Sequence, residues 1–232
     1  MKRDLTMLAG ALTAAAGLAV PASARAAVTI GPLAPCYQAV PPHGVTAIHV
    51  RLSGGGASDN FVLDATIPGQ GLGSAGSTDG TFGATGAADT TLTDVYPPGN
   101  PIGPIPGRRV NLSVQDFGPN GTVTTELGSV LLTTLALKVA STPTRPYQAR
   151  QVAVSGVALA DKRIYGFVTN RRGTRVLRRV YLGRGNVCGY VSHRAIVAPA
   201  HKAAGTYRFY VNAGPRLNRR DSLSEAFQIT VF

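Results

Sequence analysis

Residues 45–52, VTAIHVRL, place Ile48, Val50 and Leu52 on one side of an extended chain and His49 and Arg51 on the other. Side chains alternate across a strand, so a period of two with one apolar side describes a half-buried β-strand. The period returns at 61–67, where Phe61, Leu63, Ala65 and Ile67 align. It returns again where Val110, Leu112 and Val114 alternate with Asn111, Ser113 and Gln115. Turn residues cut these runs short. Ser53-Gly54-Gly55-Gly56 is a loop, 68–76 a Gly-rich turn with a weak strand, and 78–82 (TDGTF) a tight turn into a strand. Residues 97–107 hold too many prolines and glycines for a central strand. With strands at 91–96 and 129–139, the first part of the chain carries about seven short strands at the spacing of an immunoglobulin-like sandwich. No helix of three turns is evident beyond residue 26.

A second set of short strands follows at 151–154, 163–169, 174–182, 195–198, 206–211 and 226–231. Between the two sets lies STPTRP, with two prolines and small polar residues. Charge changes sign there. Residues 27–140 hold four basic and seven acidic side chains, a balance of −3; residues 141–232 hold sixteen and three, a balance of +13. The expected organisation is an all-β protein of two tandem immunoglobulin-like sandwiches, 27–140 and 147–232, joined by a linker at 141–146.

Residues 1–26 read as a secretory signal peptide. Lys2-Arg3 form the basic start, 5–20 the apolar stretch, and cleavage is expected after Ala24 or Ala26. The mature chain has no further segment of membrane-spanning length, so it is expected to be secreted or held at the cell envelope.

The densest positive charge lies between Lys162 and Gly189. Residues 163–169 and 174–182 predict a hairpin closed by Asn170-Arg171-Arg172-Gly173, since Asn and Gly suit turn conformations. Alternation places Val176, Val180 and Leu182 on one face and Arg175, Arg179 and Tyr181 on the other. Arg178 falls on the apolar face, which suits a sheet edge where an inward charge discourages further pairing. Arg163, Arg171, Arg172, Arg175, Arg179 and Arg184 form a candidate surface for an anionic polymer. The competing reading is a solvated face that keeps the protein soluble. Nucleic acid is not the expected partner, because export and the few aromatics argue against it.

Several short motifs carry a resemblance. They are Cys36-Tyr37, Ser53-Gly54-Gly55-Gly56, residues 78–82 and residues 110–116. In the second half they are Ile164-Tyr165-Gly166, Leu182-Gly183-Arg184, Cys188-Gly189 and Gly205-Thr206-Tyr207. Their order resembles a family of secreted actinobacterial proteins with tandem immunoglobulin-like domains. The resemblance implies the fold and no activity. Phe167 and Asn212 stand where that family would have His and Asp.

No motif of a nucleophile elbow, a zinc protease or a phosphate-binding loop is present. His43, His49, His193 and His201 are scattered, so no metal site and no cofactor are expected. Asp59, Asp64, Asp79 and Asp94, most of them beside Gly, Ser or Thr, read as turn aspartates rather than a glycosidase pair. The function expected is non-enzymatic, structural or adhesive. The alternative is an enzyme or accessory module acting on wall or extracellular polysaccharide.

Two cysteines remain, Cys36 and Cys188. In an oxidising compartment an even count favours a pair, which would clamp the two predicted domains. The other reading is two separate thiols, each packed as a small apolar residue.

Overall fold

A computed structural model describes residues 27–39, 46–96, 99, 102–141, 148–198 and 204–229. The signal-peptide stretch 1–26 and all of the predicted linker but Ser141 lie outside the described residues.

The alternating runs of the first half become β1 (Thr29–Ile30), β2 (Cys36–Ala39), β3 (Thr46–Ser53), β4 (Asn60–Thr66), β5 (Gly76–Thr81), β6 (Ala88–Val95), β7 (Arg108–Gly118) and β8 (Gly121–Thr134). One sheet has the order β1-β3-β6 and the other β2-β8-β7-β4-β5. Ile48, Val50, Leu52 and Leu92 from the first meet Phe61, Leu63, Val110, Leu112 and Val114 from the second in one buried cluster. This is the apolar side that the alternation marked. Residues 78–81 correct the sequence reading, for Thr78-Asp79-Gly80-Thr81 lies within β5, paired along β4, rather than in a tight turn. The strand was hidden because it lacks large apolar residues. Gly80 explains part of that lack: a Cβ there would sit 2.6 Å from the Phe61 ring.

The second half supplies β9 (Ala136–Val139), β10 (Arg150–Ser155), a 3₁₀ turn (Val157–Leu159), β11 (Arg163–Thr169), β12 (Val176–Arg184), β13 (Val191–Ala195), β14 (Gly205–Ala213) and β15 (Leu223–Ile229). Two sheets result, β13-β10-β9 and β12-β11-β14-β15. Val139, Val152, Val154 and Val191 pack against Ile164, Val168, Phe209 and Phe227 in a second buried cluster. Each fully buried Phe contributes on the order of 1.5–3 kcal/mol over exposure. Residues 129–139 were expected to close the first sandwich as one strand. Instead the strand ends at Thr134, and Ala136–Val139 pairs with β10 in the second group of sheets.

The seam between the two clusters is polar and connected. Asn186 Nδ2 donates to the Pro106 carbonyl at 2.7 Å, and the Val157 N–H donates to Gln38 Oε1 at 3.0 Å. The Ile105 N–H donates to Ser155 Oγ at 3.4 Å, while Thr133 Oγ1 donates to the Ile105 carbonyl at 3.1 Å. Ile105 and Pro106, just before β7, thus help fill the seam. A disulfide crosses the same seam, joining Cys36 on β2 to Cys188 with a Cα–Cα distance of 5.4 Å. Both cysteines are buried. Of the two readings of the cysteines, pairing is the one the structure adopts.

Candidate functional site

The β11–β12 hairpin is built as its residue types require. The Gly173 N–H donates to the Asn170 carbonyl at 2.8 Å, and Gly173 has φ 72°, a conformation glycine adopts without strain. Asn170 Oδ1 accepts the Thr174 and Arg175 N–H groups at 2.9 and 3.2 Å, which fixes the loop. A Cβ on Gly173 would lie 2.5 Å from Tyr210 Oη, so the loop also lies against β14.

β12 is the edge of its four-stranded sheet, as Arg178 suggested. Arg178 pairs with inward-facing Val168 and donates from Nη1 to the Ala198 carbonyl at 3.1 Å. Two register shifts interrupt the alternation, one between Ile164 and Tyr165 and one between Val168 and Thr169. The second leaves Leu177 half-buried against the core, while Val176 is 43% exposed. Val176 was expected inward. The inserted residue turns it out, since one extra residue reverses which face a side chain meets.

All six candidate arginines lie on this hairpin, but not as a single cluster. Arg163 and Arg184 are cross-strand partners at one end. Arg171, Arg172 and Arg175 belong to the loop end, and about 20 Å of strand separates the two groups. Arg179 lies between, with its guanidinium 6.0 Å from the Tyr165 ring centre and Nη1 donating to the Pro215 carbonyl at 3.1 Å. Arg163, Arg171, Arg172, Arg175 and Arg184 are exposed, and their side chains make no hydrogen bond or ion pair to a described residue.

Residues 214–222 fold back across the outer face of β11 and β14. Arg219 Nε donates to the Gly173 carbonyl at 2.8 Å, and Arg219 Nη2 to the Thr174 carbonyl at 3.1 Å. Asn212, 2% exposed, donates from Nδ2 to the Ala213 and Arg216 carbonyls and accepts the Asn218 N–H. It holds the base of that fold-back loop. Phe167 and Tyr210 are buried on the outer face, a burial that alternation along single strands does not reveal. Arg208, opposite Thr169 on the same face, and Arg219 add basic side chains that lie outside the hairpin sequence. The Tyr165–Tyr181 pair was also missed, although both share the parity of Arg163 and Arg179.

Among the described residues the acids do not gather. Asp64 is on β4, Asp79 on β5 and Asp94 on β6, so of the four predicted turn aspartates only Asp59 lies in a loop. Asp64 and Asp116 are both buried. Asp116 lies opposite inward-facing Phe61, whereas Asp64 alternates to the other face of the sheet. Two carboxylates on opposite faces do not flank one substrate. Asp64 accepts from Gln115 Nε2 at 3.2 Å, and Asp116 accepts the Gly56 N–H at 3.3 Å. His49 meets Thr91 Oγ1 at 2.9 Å, beside an exposed Arg51–Asp89 ion pair at 3.0 Å. These four residues line a shallow depression of about 480 Å³ on β3 and β6. His193 is exposed on β13, while His43 and His201 lie outside the described residues. Among the described residues no three His, Cys, Asp or Glu side chains converge as metal ligands.

Two ionisable groups at the margin of the second core, buried Arg150 and half-buried Glu225, are shifted. Burial pushes the Glu225 carboxyl above its ordinary range, partly offset by the Val139 N–H it accepts at 2.6 Å and by Lys138. Burial lowers the Arg150 guanidinium, which donates to the Ala140 and Ser141 carbonyls and lies 5.8 Å from the Phe227 ring centre. Both groups bridge strands.

Fold and site together define an all-β protein with a disulfide across the seam of two cores and arginines along one exposed hairpin. No helix among the described residues is long and apolar enough to cross a membrane. No family model matches the chain, and no curated protein matches it. Among solved structures the chain is similar to red sea bream transglutaminase, at 12% identity and TM-score 0.32, over 90% of this chain and 32% of that one. It is also similar to a tetra-tandem repeat from the extending region of a large adhesion protein, at 15% identity and TM-score 0.29, over 88% of this chain and 50% of that one. The BSP domain of a biofilm-associated protein matches at 13% identity and TM-score 0.28, over 88% of this chain and 29% of that one. The chain spans half or less of the length of each.

Proposed function

We propose that this is a non-enzymatic protein of the cell envelope or the extracellular space, structural or adhesive, whose basic hairpin attaches to an anionic polymer. In this reading it is exported by the signal peptide and consists of two immunoglobulin-like sandwiches that divide near Leu135. The observation that carries the reading is the row of exposed arginines without carboxylate partners among the described residues. Unpaired surface charges of one sign attract polyanions at range and lose that attraction as salt screens them. The disulfide supports export, because such bonds persist in oxidising compartments.

Retention on a polyanion column tests this. The protein is expected to bind at low salt and elute steeply between roughly 0.1 and 0.5 M, where the Debye length falls well below 10 Å. Arg171→Ser/Arg172→Ser/Arg175→Ser removes loop charges that hold no structural bond and is expected to elute earlier. Equal retention of both proteins overturns the attachment.

A further inference from the structure

Arg163 and Arg184 stand directly opposite each other across β11 and β12. Such partners have Cβ atoms about 4.5–5.5 Å apart, and like charges in that arrangement repel. No carboxylate among the described residues relieves them. The nearest acid along the chain, Asp161, is exposed and makes no ion pair with either. One pleat further on, Tyr165 and Tyr181 are also cross-strand partners, with ring centres 5.2 Å apart and planes tilted by 51°. Tyr181 is 50% exposed, although the next partner on this face of β11, Phe167, is buried. Arg179 occupies the neighbourhood of the Tyr165 ring and is tied to Pro215. The exposed ring of Tyr181 is therefore held from one side and open on the other.

We infer that Arg163, Arg184 and Tyr181 form a subsite for an acidic polysaccharide whose sugar rings carry carboxylates. This rests on the attachment proposed above and names its ligand. Two planar guanidinium forks on adjacent strands suit one carboxylate, which accepts up to four hydrogen bonds and cancels the repulsion. The flat face of Tyr181 offers an apolar surface to the C–H face of a pyranose, with its hydroxyl at the wet rim. Arg163 and Tyr165 are two residues apart on β11, about 6.8 Å, and a bulge in β12 brings Tyr181 and Arg184, three residues apart, into step with them, so ring and carboxylate of one short stretch of polymer reach both. A polymer of phosphates alone satisfies the arginines but leaves Tyr181 without a partner. Nucleic acid fits less well, since one open ring is no platform for successive bases.

Titration calorimetry with oligogalacturonate, polyphosphate of matched charge and oligothymidylate tests the assignment. Oligogalacturonate is expected to bind. Tyr181→Ser is expected to weaken it about tenfold and leave polyphosphate unchanged, while Tyr181→Phe keeps near-native affinity. Arg163→Gln/Arg184→Gln is expected to weaken oligogalacturonate more than polyphosphate, which still has the loop arginines. If both anions bind equally and Tyr181→Ser changes neither, attachment by charge stands and the sugar subsite falls. If neither binds, both proposals fall. Tighter binding of oligothymidylate with the same dependence on Tyr181 reassigns the surface to nucleic acid.

Discussion

Replacing both cysteines with alanine tests what the seam contributes. The two residues are 152 apart in sequence. The loop that the bond closes contains the strands β3 to β12, so it encloses nearly all of the first core and part of the second. In the chain-entropy account, closing a loop of that length removes about 17 cal/mol/K from the unfolded chain, or about 5 kcal/mol at 25 °C. Alanine is the right substitute because Cys188 is fully buried and a serine hydroxyl there would need a partner. The seam keeps its hydrogen bonds in the variant, each contributing about 0.5–1.5 kcal/mol net. These are too few to replace the covalent link. For a chain of this size, 5 kcal/mol corresponds to a fall in Tm of roughly 10–20 °C. Scanning calorimetry is expected to show one transition for the native protein and, for Cys36→Ala/Cys188→Ala, that fall together with two separate transitions. A variant that melts in one transition at an unchanged temperature refutes the reasoning. It would mean that the seam hydrogen bonds alone couple the two cores.

Two further outcomes follow from single residues. Because the folded Glu225 carboxyl titrates above its unfolded value, folding binds a proton in that window; stability is higher below it and falls as pH rises through it. Glu225→Gln keeps an acceptor for the Val139 N–H without the charge, so denaturant midpoints at pH 4 and pH 7 are expected to differ less in the variant than in the native protein. Parallel pH curves would show that the half-buried carboxyl does not titrate abnormally. Gly189→Ala places a methyl group 1.9 Å from the Gly156 carbonyl oxygen at a residue with φ 69°, beside Cys188. A loss of more than about 3 kcal/mol is expected in urea unfolding, from backbone strain and overpacking together. A loss below 1 kcal/mol would show that the turn relaxes freely.

Local alternation determined most of the strands. Ile48, Val50 and Leu52, or Val110, Leu112 and Val114, read inward from neighbours two residues away, because pleat geometry is a property of a short stretch of chain. The hairpin loop at Asn170 and the inward Arg178 at an edge were legible for the same reason. β5 was not, since its Gly80 makes room for a ring on a different strand. Nor was the change of partner at Leu135, where the strand leaves β7 and joins β10, because which sheet a strand enters is decided by pairing with residues far along the chain. The extra residue at Leu177 turned Val176 outward through a mismatch between two strand lengths that neither strand records alone. The fold-back loop over Phe167 and Tyr210, the Tyr165–Tyr181 pair beside Arg163 and Arg184, and the meeting of Cys36 with Cys188 belong to tertiary structure in the same sense. Period and turn chemistry act over a few bonds, whereas these juxtapositions exist only once two cores have closed against each other and long loops have been fixed.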